Sequence, residues 1–208
     1  MALITFRDVE KHFGDKLLFR DLSFRIESGA HVAFRAPSGG GKTTLLRLIL
    51  GFETPDAGEI LYQDRRLTPV AVAELRRRTA YVPQLVDWGM GRVEDLLAGF
   101  MAFRANAHLT GWRDELESLL PFFRLETRIL QRDFHQLSGG EKQRLGLALA
   151  ILLKRSIFLL DEPTASLDAT LVHKVVDYFR GRADATILVA SHRLDWIEMG
   201  QFRLLKVP

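Results

Sequence analysis

The chain has 208 residues, 47% of them apolar and 26% charged, which is enough for one well-filled domain and rules out a disordered tail. Its 29 basic and 26 acidic residues leave a formal charge of +3, too small an excess to point to a polyanion groove, so no nucleic acid is expected. Cysteine is absent, which excludes disulfides and thiolate metal sites and fits a reducing compartment.

The N-terminal stretch MALITFRDVEKHF carries early acidic residues and no continuous apolar run, so it does not read as a signal peptide. Gly14-Asp15 predicts a hairpin turn between two short strands. Leu22, Phe24 and Ile26 then alternate with polar residues, Glu27-Ser28-Gly29 turns the chain, and a second short run follows at 31–34. Beyond 37–41 the period changes. Leu45, Leu46, Leu48 and Ile49 crowd one face of a buried helix that Gly51 closes.

Apolar residues at i, i+3 and i+4 predict helices over 93–103 and 112–120, with Gly111 and Pro121 as punctuation. Ser138 is a natural N-cap for a helix reaching about Lys154. The last third alternates by type: strand 157–160, helix 170–180, strand 186–190, short helix 194–199 and strand 202–205. Such alternation predicts a parallel sheet covered on both faces. The most apolar stretches, 45–50, 145–153 and 157–160, fall far short of the ~20 residues a membrane-spanning helix needs, so a membrane role is expected only through a partner.

Residues Ala36-Pro37-Ser38-Gly39-Gly40-Gly41-Lys42-Thr43-Thr44 leave a strand and open a helix, the setting of a phosphate-binding P-loop. Consecutive glycines let the backbone curl with its N–H groups inward, and the helix N-terminus adds partial positive charge there. Lys42 supplies a full charge for the terminal phosphates, and the Thr43 hydroxyl a ligand for Mg²⁺. Ala36 departs from the G-x-x-x-x-G-K-[ST] pattern, standing where its first glycine belongs, at the strand exit. Alone, the segment also reads as a glycine-rich turn before an amphipathic helix.

A second motif is the apolar strand 157–160 ending in Asp161-Glu162, which delivers two carboxylates to the C-terminal edge of a parallel sheet. Asp161 is expected to hold Mg²⁺, and Glu162 to act as general base on the water that attacks the γ-phosphate. Without a P-loop, an ordinary strand and a solvated acidic turn would explain the same residues. A third motif, Leu137-Ser138-Gly139-Gly140-Glu141-Lys142-Gln143-Arg144, sets a glycine pair at a Ser-capped helix N-terminus. It is either a second anion site or simply a well-capped helix with a Glu141–Arg144 pair.

The wording LSGGEKQR resolves these alternatives. With it, the chain resembles the nucleotide-binding subunit of the ATP-binding cassette (ABC) family over nearly its whole length. Tyr81-Val82-Pro83-Gln84 is similar to the family's Q-loop, Asp161-Glu162-Pro163-Thr164 with Ser166-Leu167-Asp168 to its extended Walker B and D-loop, and Ser191-His192 to its switch-histidine loop. The resemblance implies an α/β fold: a P-loop NTPase (RecA-like) core with a parallel sheet, an N-terminal antiparallel β subdomain and an inserted α-helical subdomain. Residues 1–208 then form a single ABC ATPase domain, with the core and β subdomain at about 1–84 and 156–208 and the helical subdomain at about 85–155.

It further implies that two copies pack head to tail around two ATP molecules, each with Mg²⁺. One protomer would provide Ser38, Gly39, Gly40, Gly41, Lys42, Thr43, Thr44, Gln84, Asp161, Glu162 and His192. The other would present Ser138, Gly139 and Gly140, with Asp168 beside them. Glu162, His192 and Gln84 are the implied catalytic residues, and Thr43, Gln84 and Asp161 the implied metal ligands. Phe13 stands where the family often places a ring under adenine.

A homodimer is expected, peripheral on the cytoplasmic face of the cell membrane. A separate transmembrane permease would be gripped by the segment after Gln84 (Leu85, Val86, Trp88, Met90) with Phe100, Met101 and Phe103, and Trp88 is the expected contact. The alternative is a non-transport ABC ATPase acting on nucleic acid, ribosomes or protein assembly. A third reading, binding without turnover, is disfavoured by the presence of both Glu162 and His192.

Overall fold

The computed structural model describes residues 2–37, 39–199 and 202–207. In chain order the N-terminal half contains β1 (Ala2–Phe13), β2 (Lys16–Glu27), β3 (His31–Arg35), α1 (Lys42–Ile49), β4 (Ala57–Tyr62), β5 (Arg65–Arg66), α2 (Pro69–Arg77) and β6 (Thr79–Val82). The rest contains α3 (Val93–Met101), α4 (Trp112–Leu119), α5 (Gly139–Leu152), β7 (Ile157–Asp161), α6 (Ala169–Arg180), β8 (Thr186–Ala190), α7 (Asp195–Glu198) and β9 (Arg203–Lys206). Three short 3₁₀ turns lie between α3 and α5.

Two sheets organise these elements. β6, β7, β8, β3 and β9 form a parallel sheet in that order, and every residue of β7 and β8 is buried. That is why IFLLD and TILVA read as continuous apolar runs rather than alternating ones: a central parallel strand meets packing on both faces. The second sheet, β2-β1-β4-β5, is antiparallel. Its inner face packs on the core through Phe6, which stacks on Phe24 at 4.4 Å, while Phe24 leans on Phe34 of β3 at 5.9 Å.

The expected hairpin turn at Gly14-Asp15 joins β1 to β2, but these are 12-residue strands rather than short ones, and β2 takes in the alternating stretch 22–26. The helices, the other strands and the Ser138 cap predicted from periodicity are present, with ends shifted by a residue or two. Periodicity predicts no element between Gly51 and Thr79, where the structure has β4, β5 and α2. α2 is capped by Thr68 and starts on Pro69, but only Ala71 and Leu75 of its face are buried, too few for a visible stripe.

α5 carries the opposite pattern. From Leu145 to Leu152 it is buried on every side, packed against α4 and β6, so it links the helical segment to the sheet. What matters for function is where the strands end. β3, β6, β7 and β8 run in parallel, so their carboxyl ends open on one edge, and the segments leaving them are the P-loop, Gln84, Asp161-Glu162 and Ser191-His192. Open α/β sheets bind ligands on that edge.

Candidate active site

A cavity of about 670 Å³ lies at this edge, lined by Gly39, Gly41, Lys42, Thr43 and Thr44 of the loop and helix α1, Gln84, Asp161, Glu162, Ala165 and His192, together with Phe13, Lys16 and Leu18 from the first hairpin. Of the other loop residues expected here, Gly40 does not line the cavity and Ser38 lies outside the described residues.

The loop's shape follows from two glycines. Gly41 has φ of 81°, and a Cβ there would meet the Phe19 ring at 2.6 Å. A Cβ on Gly40 would lie 2.8 Å from the Ala36 methyl and 3.0 Å from the Pro37 carbonyl. Ala36 is therefore accommodated because the loop folds back over it at a glycine. Gly41 caps α1 without a side-chain hydrogen bond, and the first turn carries no acidic residue, so the helix's leading N–H groups face the cavity without a competing carboxylate.

Lys42 is nearly buried, its ammonium donating to the Ala36 carbonyl at 3.0 Å and the Pro37 carbonyl at 3.2 Å, with Glu162 Oε1 3.7 Å away. Thr43 Oγ1 donates to Asp161 Oδ2 at 2.7 Å. Among the described residues, Asp161 Oδ1 is buried with no hydrogen-bond partner. Burial pushes the Asp161 carboxyl above the usual range, the Thr43 hydrogen bond and Lys42 oppose this, and neighbouring Glu162 adds to it.

An unpartnered carboxylate oxygen beside a hydroxyl, with two carboxylates against one close ammonium, is a donor set short of positive charge. It fits a hard divalent cation such as Mg²⁺. Among the described residues no group of three or more His, Cys, Asp or Glu could hold a metal alone, so the other ligands would be phosphate, water and the exposed Gln84. Tyr81 is no candidate base: burial, reinforced by Asp161, pushes its phenol up to about 12.

Glu162 sits at a φ of 45°, unusual outside glycine, and is fixed there by its N–H donating to the Ala190 carbonyl at 2.8 Å. Its carboxylate accepts from Ser191 Oγ at 3.2 Å and from the His192 N–H at 3.1 Å, and lies 2.9 Å from His192 Nδ1. The end of β8 thus holds the carboxylate of the β7 end in one orientation. The His192 side chain itself is 65% exposed and lines the cavity. Phe13, 72% exposed, is also part of the cavity lining.

Ser138, Gly139, Gly140 and Asp168 do not line this cavity. Ser138 caps α5 in a closed box: its N–H and Oγ both reach Glu141 Oε2 at 2.8 Å, and Arg132 Nη1 holds Glu141 Oε1 at 2.8 Å. The Glu141 carboxyl is held below its usual range, chiefly by the Ser138 N–H, then by the Ser138 hydroxyl and Arg132. Asp168 caps α6 through the Leu171 N–H at 3.1 Å and pairs with Arg124 at 2.8 Å. Lys16, Leu18 and Ala165 were not anticipated from the sequence. Lys16 could have been found from its place directly across the turn from Phe13.

Trp88, the expected partner contact, is half-buried, stacked on Phe134 at 4.7 Å and edge-on to Phe100 at 5.3 Å, so only part of its ring is left at the surface. Val86 and Met101 are buried, and the exposed apolar side chains of this region are Leu85, Met90 and Phe103.

The profile of the ABC transporter family matches residues 19–165, a span that includes the loop, the LSGGEKQR segment and both carboxylates. The chain belongs to the ABC transporter family. It is 35% identical over 202 residues to the Nod factor export ATP-binding protein I of Burkholderia lata, covering 95% of this chain and 65% of that one. With the spermidine/putrescine import ATP-binding protein PotA of Chromobacterium violaceum it shares 36% identity over 225 residues, 100% of this chain and 60% of the relative. The chain therefore spans about two-thirds or less of the length of these relatives. Among solved structures, an ATP-binding subunit of an ABC transporter superposes with a TM-score of 0.83 at 26% identity, over 99% of this chain and 88% of that one.

Proposed function

We propose that this chain binds ATP with Mg²⁺ in the cavity at the carboxyl edge of its parallel sheet, hydrolyses it to ADP and phosphate, and uses the cycle to power a membrane transporter. The observation that carries this reading is the convergence of Lys42, Thr43, Gln84, Asp161, Glu162 and His192, from four separate chain segments, on one cavity.

The roles follow from the contacts. Phe13 stacks on the base, and the α1 N-terminus and Lys42 take the phosphates, Lys42 exchanging the Ala36 and Pro37 carbonyls for phosphate oxygens. Thr43 and Asp161, with Gln84, hold Mg²⁺, which when bound neutralises charge on the phosphate oxygens. Glu162 orients the attacking water and accepts its proton as the new P–O bond forms and the bond to ADP breaks. His192 keeps the Glu162 carboxylate in place and faces the terminal phosphate.

Ser138, Gly139 and Gly140 lie away from their own chain's cavity, which supports a head-to-tail homodimer in which they close the partner's site. Residues 85–155 are proposed as the helical subdomain, and the exposed Leu85, Met90 and Phe103 as its contact with a separate membrane-spanning subunit. No helix among the described residues is long and apolar enough to cross a membrane, which supports peripheral attachment to the cytoplasmic face through that subunit.

Calorimetry and turnover assays on the wild type, Lys42→Ala and Glu162→Gln test the proposal. Wild type takes up ATP with Mg²⁺ and hydrolyses it, Lys42→Ala loses uptake, and Glu162→Gln keeps uptake but loses about 10²–10⁴-fold in turnover, running as an ATP-dependent dimer on a sizing column. Normal hydrolysis by Glu162→Gln would refute its assigned role.

A further inference from the structure

We infer that Lys16 is a second phosphate-binding cation of this site, carried by the β1–β2 hairpin and acting on the polyphosphate tail of the nucleotide. The inference rests on the reading of the cavity as an ATP site and adds a residue to it. Lys16 pairs directly with Phe13 across the Gly14-Asp15 turn, so the hairpin tip offers an aromatic ring and an ammonium to the same cavity. Its Nζ donates to the Gly39 carbonyl at 3.0 Å, on the glycine loop, rather than to a carboxylate.

Charge balance makes this position consequential. Of the Lys, Asp and Glu side chains lining the cavity, Lys42 lies beside Asp161 and Glu162, and Lys16 supplies the remaining positive charge. Lys42 is nearly buried and already faces Glu162, whereas Lys16 is exposed, can turn from the Gly39 carbonyl to a phosphate oxygen, and loses little solvation until the ligand arrives. Binding to Gly39 also screens a carbonyl whose partial negative charge would otherwise oppose the incoming phosphates. Flanking the loop with one deep and one peripheral lysine favours a tail of two or more phosphates, which can engage both.

The test is calorimetric titration of ATP and ADP into the full chain and its Lys16→Met and Lys16→Arg variants at two salt concentrations, with thermal melts to verify folding of these exposed-site variants. Lys16→Met is expected to weaken both nucleotides by about five- to tenfold, the worth of one partly solvated charge-assisted hydrogen bond. Lys16→Arg should restore most of the loss, and the salt dependence of affinity should be flatter in Lys16→Met than in wild type. Unchanged affinity in Lys16→Met overturns the inference while leaving the ATP site intact. So does a loss of affinity with wild-type salt dependence, because a lysine that only clasps the Gly39 carbonyl would produce that. If wild type takes up neither nucleotide, the ATP-site reading fails and the inference fails with it.

Discussion

Thr43 Oγ1 and Asp161 Oδ2 stand 2.7 Å apart although 118 positions separate them in the chain. The contact joins the first turn of α1 to the end of β7, and it leaves the other Asp161 oxygen buried and without a partner among the described residues. Asp161→Asn keeps an acceptor for Thr43 and removes the charge. The expected result is at least about a tenfold rise in the Mg²⁺ concentration that half-saturates ATP hydrolysis, read by metal titration of the rate. An unchanged Mg²⁺ requirement would remove Asp161 from the metal site.

Gly40 and Ala36 should be coupled. Gly40→Ala places a methyl 2.8 Å from that of Ala36, so it is expected to cost about 1–3 kcal/mol by overpacking in urea melts. Ala36→Gly by itself is mild, but in the double variant it should recover part of the loss. Recovery stays partial because the Pro37 carbonyl, 3.0 Å away, still crowds the new methyl. Strict additivity of the two changes would show that the methyls do not meet.

In the segment after Gln84, stability and docking should separate. Trp88→Ala removes a ring stacked on Phe134 and is expected to destabilise by about 2–3 kcal/mol, less than a fully buried Trp would lose. Leu85→Ser, at a side chain 86% exposed, should alter stability by no more than about 0.5 kcal/mol yet reduce recovery of the chain with membranes. Equal effects of the two variants on melting would contradict this division.

The Ser138 cap gives a pH-dependent signal. Ser138→Ala should cost about 1 kcal/mol at neutral pH. Glu141 has a lowered pKa in the folded chain, so its contribution is present above the unfolded carboxylate value and disappears as pH falls through the folded one. The difference in urea midpoint between wild type and Glu141→Ala is therefore full at pH 7 and narrows below about pH 4.3. A difference that grows on acidification would mean the carboxylate is not stabilised by Ser138 and Arg132.

Chemistry-bearing residues were legible in the sequence wherever they sit in short local patterns. Three glycines before Lys42 dictate a loop of inward N–H groups, apolar runs ending in Asp161-Glu162 dictate a buried strand with carboxylates at its tip, and Ser138 with Glu141 dictates a capped helix. Each depends on neighbours within a few positions. Trp88 and α2 were less legible for the complementary reason. An aromatic whose stacking partner lies 46 positions further on and a helix with a two-residue buried face have no local hydrophobic pattern to announce them.

Only tertiary structure decided what meets what. The parallel order β6-β7-β8-β3 brings four strand ends to one edge and so sets the Glu162 carboxylate on the Ser191 and His192 groups. Folding of the first hairpin over the loop puts Lys16 on Gly39, and the stacking of Trp88 on Phe134 leaves its ring half-buried. These contacts join residues far apart in sequence, and their energies depend on desolvation and alignment that exist only once the sheet and hairpin are in place.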